Sequence, residues 1–100
     1  MLPKPLRTVA KKINNRRCLR AKAKRLVRAP SLPIALDVET TSLCQLDCVR
    51  CPRRDMTRGH GSMTVEQFGM VMEKLGGYAY KLWMHLFGDP LLTPGLPEMI

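Results

Sequence analysis

Acidic residues are missing from the first 28 positions, which carry 11 Lys and Arg. No run of 18 apolar residues occurs, which excludes a hydrophobic helix able to span a bilayer. The N-terminus has neither the apolar stretch nor the small-residue cleavage site of a secretory signal. A mitochondrial transit peptide would be Arg-rich, acid-poor and also Ser-rich; Thr8 is the only hydroxyl residue before Ser31, which argues against one. Aromatics make up 5% of the chain and none precedes Phe68, so base stacking on single strands has no platform in the basic segment. Four cysteines without a secretion signal point to a reducing compartment and to metal rather than disulfides, and the expected localisation is cytoplasmic.

What is present divides in two. The formal net charge is +9, and from Ala29 onward 6 cations face 8 acids. The chain thus reads as a basic helical arm, residues 1–30, followed by a nearly neutral domain over 31–100. Leu6, Val9, Ala10 and Ile13 recur at helical spacing, and Leu19, Ala23, Leu26 and Val27 resume it after Asn14-Asn15. Pro30 and Pro33 mark the boundary. The bland reading of the arm is a solvated helix; phosphates of nucleic acid or an anionic membrane surface are the alternatives.

Beyond the boundary, Ile34 to Thr40 alternates as a strand, and residues 52–62 have loop chemistry. Thr64-Val65-Glu66-Gln67 is a capping-box pattern opening a helix over 64–75, which Gly76-Gly77 stops. Tyr80 to Phe87 predicts a strand buried on both faces, Gly88-Asp89-Pro90 a turn, and Pro94 to Ile100 the opening of another helix. Strand–helix–strand units make parallel sheets with functional loops at the C-terminal strand ends, so 41–62 and 88–95 should lie side by side. Two strands and one packed helix bury little surface, and the isolated chain is expected to be poorly ordered, aggregated or reliant on a partner or metal.

Cys44-Gln-Leu-Asp-Cys48-Val-Arg-Cys51 is a C-x3-C-x2-C cluster. Three thiolates on one loop can converge on one metal centre. A cubane normally has four cysteine ligands, so three leave one iron open. This spacing, its place after the first strand, and the later Phe87-Gly88-Asp89-Pro90-Leu91-Leu92 resemble the radical S-adenosylmethionine superfamily. Gly61-Ser62-Met63-Thr64 is similar to members carrying an accessory cluster domain of the SPASM type.

The resemblance implies an α/β fold, the N-terminal part of a parallel partial (β/α)6 barrel. It implies a [4Fe–4S] cluster on Cys44, Cys48 and Cys51, with S-adenosylmethionine bound through its amino and carboxylate groups to the open iron. Reductive cleavage would yield a 5′-deoxyadenosyl radical that abstracts hydrogen from a peptide or small-molecule substrate. A flavodoxin or ferredoxin would donate the electron. Gly88, Asp89 and Pro90 match the family's Gly-Glu-Pro, which helps hold the cofactor's amino group, with Asp one methylene shorter. Arg50 stands where a large apolar residue packs near the adenine; its guanidinium can stack on a purine. Gln45 stands where Asn is frequent. The family domain needs roughly 200 residues, of which this chain matches about a third, so the chain alone is expected not to cleave the cofactor.

The competing reading is a non-enzymatic, zinc-stabilised basic module that binds nucleic acid, its fourth ligand Cys18 or His60. Cys18 otherwise reads as a lone thiol, His85 as a core histidine, Asp89 as a turn cap, and the seven methionines as packing.

Overall fold

A computed structural model describes residues 3–100. It contains three helices, α1 (Lys4–Ala23), α2 (Val65–Val71) and α3 (Leu96–Met99), and two strands, β1 (Ala35–Asp37) and β2 (Lys81–Trp83). The strands are hydrogen-bonded neighbours running parallel, with Tyr80 N–H donating to Ile34 O and Val38 N–H to Trp83 O. Two compact units result: Met1–Leu36 with Val71–Leu82, and Asp37–Met70 with Trp83–Ile100.

The partial (β/α)6 barrel expected from the resemblance is not the architecture. Among the described residues two strands, each of three residues, are the whole sheet, and helix and loop predominate. Past Trp83 the chain meets side chains rather than the backbone of β1. Met84 O accepts the Thr40 hydroxyl (3.2 Å), and Phe87 N–H donates to the Glu39 carboxylate (3.2 Å). Met84 and Phe87 each spend one backbone group on a side chain. Nor is the run from Tyr80 buried on both faces: Tyr80, Trp83 and Leu86 are all exposed.

In the first unit, α1 follows from its composition, since Lys, Arg, Ala and Leu favour helix and Pro5 sits in the first turn, where proline is tolerated. Its end is a Schellman turn, with Leu26 N–H donating to Ala21 O (3.0 Å) and Arg25 N–H to Lys22 O (3.1 Å). Arg25 occupies the left-handed position, φ 50°, where glycine is usual. One side of α1 buries Asn14 and Ala21. Asn14 closes a two-way bond with the backbone of Leu32, donating to its carbonyl (3.0 Å) and accepting from its N–H (2.8 Å). Lys11 Nζ donates to Ala79 O (2.9 Å) and lies over the Tyr80 ring.

In the second unit the capping box is formed. Gln67 N–H donates to Thr64 Oγ1 (3.2 Å) and Thr64 N–H to Gln67 Oε1 (2.9 Å). Helix α2 then loosens into a π turn over Met72–Gly76. Phe68, Val38 and Met99 are the unit's apolar core. Gly95, φ 74°, starts α3 against Val65, and no L side chain would be comfortable there.

Candidate metal and cofactor site

Three consecutive hydroxyl residues, Thr40, Thr41 and Ser42, follow β1 and are buried, Thr40 completely. Every hydroxyl is used. Thr40 Oγ1 meets Thr93 Oγ1 (2.8 Å), and Thr41 Oγ1 meets Ser62 Oγ (2.8 Å) while accepting from Leu43 N–H (3.1 Å). Ser42 Oγ accepts from Gly61 N–H (2.9 Å), and Ser42 N–H donates to Gly61 O (2.9 Å). This lattice fixes the direction in which the chain enters the cysteine loop. Buried polar groups so satisfied specify one arrangement. The run of hydroxyls between strand and first cysteine was visible in the sequence, and periodicity alone gave it no role.

The turn at Gly88 docks on the same entry. A Cβ on Gly88 would collide with Thr41 O and stand 2.9 Å from Leu43 O, so only glycine permits this approach. Asp89 N–H donates to Leu43 O (2.8 Å), and its Oδ1 accepts from Leu91 N–H (2.9 Å), capping the 3-10 turn Pro90–Leu92. Asp89 Oδ2 accepts from Gln45 Nε2 (2.6 Å). The Leu91 amide, and after it Gln45, hold the Asp89 carboxyl below its ordinary range. Asp89 and Gln45 thus join the turn and the cysteine loop directly, side chain to side chain. Loops 41–62 and 88–95 lie side by side, as the strand order predicts.

Cys44 and Cys51 are half-buried and Cys48 is exposed. Cys44 Sγ accepts from Leu46 N–H (3.4 Å), and Cys51 N–H donates to Cys48 O (3.1 Å), closing a turn with Val49 and Arg50 at its tip. Arg50 is exposed there. The next residues, Pro52–Asp55, form a 3-10 turn whose arginines reach back across the loop. Arg53 donates to Leu46 O (3.3 Å); Arg54 donates from Nε to Asp47 Oδ1 (2.7 Å) and pairs with the other carboxylate oxygen. Arg54 holds the Asp47 carboxyl low; in return Asp47, and more weakly the charges of Cys51 and Cys48, push the guanidinium up. The arginine clasp brackets the cysteines, and nothing in residue spacing foretold it.

The three cysteine side chains are not drawn into one ligand set: among the described residues no group of three or more His, Cys, Asp or Glu stands in metal-holding geometry. His60 and His85 are both exposed, so His85 is not a core histidine. Cys18 is half-buried on α1, in the first unit. No helix is long and apolar enough to cross a membrane among the described residues. No protein-family model, curated protein or solved structure matches the chain.

Proposed function

We propose that the loop carrying Cys44, Cys48 and Cys51 holds a [4Fe–4S] cluster, and that Gly88-Asp89-Pro90 contacts S-adenosylmethionine bound at its open iron. The observation that carries this reading is the docking of the Gly88 turn on the entry to the cysteine loop, with no room for a side chain between them. The donor chemistry fits. Three soft sulfurs on one short loop suit iron–sulfur ligation, and each reaches solvent. Three arginines, Arg50, Arg53 and Arg54, stand in or just after that loop, where they can offset the charge of the thiolates. The Leu46 amide on Cys44 sulfur is the kind of contact that tunes such a centre.

A cluster held by Cys44, Cys48 and Cys51 would supply one-electron reduction of S-adenosylmethionine, for radical modification of a peptide or small molecule. The remaining work is the protein's. Arg53 and Arg54 hold the Leu46-Asp47 backbone, the stretch between Cys44 and Cys48, in place. A carboxylate offers about four acceptor sites, and Asp89 has used two, which leaves acceptors for an ammonium. Arg50 at the turn tip can stack on a purine. A flavodoxin-like or ferredoxin-like donor would meet the exposed rim at Cys48.

Anaerobic supply of iron and sulfide tests the reading. About four irons and four sulfides per chain, with a brown chromophore near 400 nm, are expected. Stoichiometric zinc without sulfide would assign the loop to a structural metal instead.

A further inference from the structure

Helix α1 has an unused face. Its 20 residues run about 30 Å. One arc is committed to packing: Asn14 and Ala21 are buried, with Ala10, Lys11 and Cys18 half-buried beside them. On the arc flanking it Leu6, Val9 and Ile13, at i, i+3 and i+7, are 52%, 52% and 47% exposed. Arg16, Arg17 and Arg20 continue that arc toward the C-terminus, all exposed. None of the three has a carboxylate partner among the described residues. Lys12, Arg16, Arg20 and Lys24 follow one another at i+4, a like-charge spacing that opposes the helix unless an anion answers it.

We propose that this face binds the surface of an anionic lipid bilayer, with α1 lying parallel to it. Charge complementarity selects the class of partner, since no acid precedes Asp37. The exposed apolar trio selects between polyanions. A nucleic-acid backbone would engage the arginines and leave Leu6, Val9 and Ile13 against water or phosphate. A bilayer interface takes both, headgroup phosphates on the guanidinium groups and the apolar trio just below them. The long Arg and Lys stems reach up from beside buried apolar residues without stranding their charge. This surface shares no residue with the cysteine loop and does not depend on its metal.

Sedimentation of the full chain with phosphatidylcholine vesicles, with and without about 30 mol% phosphatidylserine, tests the proposal. Binding is expected to be at least tenfold stronger on the anionic vesicles and to weaken steeply as salt rises from about 0.05 to 0.5 M. Arg16→Gln/Arg20→Gln should weaken it at least tenfold, at about fivefold per headgroup cation. Leu6→Gln/Ile13→Gln should weaken it by a similar factor, whereas Met70→Gln on α2 should leave it unchanged. Glutamine keeps helix propensity, and circular dichroism verifies that α1 persists. Equal binding to both vesicles, indifference to Leu6→Gln/Ile13→Gln, or displacement from vesicles by a short RNA or DNA duplex at equal charge would each overturn the assignment. The salt series on the unaltered chain decides the electrostatic part without any substitution.

Discussion

The unit built from residues 1–36 and 71–82 holds 13 of the 17 cations and a single acid, Glu73, while residues 37–70 with 83–100 hold 4 cations and 7 acids. The second unit pairs half of its cations internally: Arg54 with Asp47, and Arg58 with Glu39, whose other oxygen takes the Phe87 amide. It also satisfies its buried hydroxyls pairwise. In the first unit the solvent-facing cations of α1 find no such carboxylates among the described residues, and its internal order rests on helix packing, the Asn14–Leu32 bond and a left-handed arginine. The contrast separates two uses of polar residues. One unit uses them to fix a loop in place; the other leaves them outward for something else to neutralise.

The sharpest way to break the second unit is Gly88→Ala. The new Cβ would meet the Thr41 carbonyl, a backbone atom that cannot turn aside. A loss of about 3 kcal/mol or more is expected in urea unfolding, at the upper end of overpacking costs. Gly59→Ala, with no atom within 4 Å, should move stability by no more than about 0.5 kcal/mol. Equal effects would mean that the docked turn does not hold the loop.

The first unit should break most readily at Asn14→Ala. The substitution strips the Leu32 N–H and carbonyl of their partner in a part-buried position, costing about 1–2 kcal/mol. Arg25→Gly should act in the opposite direction. Relieving a left-handed arginine at φ 50° is expected to add about 1 kcal/mol, read as a higher unfolding midpoint.

A smaller effect separates the units by pH. The folded Asp89 carboxyl lies below its reference value of 3.8, so its contribution is complete above that value and lost as pH falls through the folded one. Urea midpoints compared between the unaltered chain and Asp89→Asn should differ most at neutral pH and converge in acid. A gap that widens on acidification would contradict the Leu91 and Gln45 bonds.

Legibility from sequence followed the same division. The capping box at Thr64 and Gln67 rests on local chemistry and formed; the basic arm expected to be helical over 1–30 is helical over Lys4–Ala23, its end set by the left-handed turn at Arg25 rather than by Pro30. The adjacency of the cysteine loop and the Gly88 turn was also readable, from chain order. The extent of strand pairing was not. Thr40 and Glu39 claim backbone groups of Met84 and Phe87, partners 44 and 48 positions away along the chain, and alternation cannot register so distant a contest. The barrel expectation failed there. The clasp of Arg53 and Arg54 was equally hidden, because two long side chains folding back over a loop follow no repeat.

On the proposed function, the cysteine loop of the second unit carries a cluster with one iron open to S-adenosylmethionine, and the lone cysteine of the first unit takes no part. Electron paramagnetic resonance of the anaerobically reconstituted, dithionite-reduced chain tests it directly. A [4Fe–4S] signal should appear, shift when S-adenosylmethionine is added, survive Cys18→Ser and vanish with Cys44→Ser, Cys48→Ser or Cys51→Ser. A signal that ignores S-adenosylmethionine, or that depends on Cys18 as much as on the other three, would overturn the assignment of the cluster to this loop.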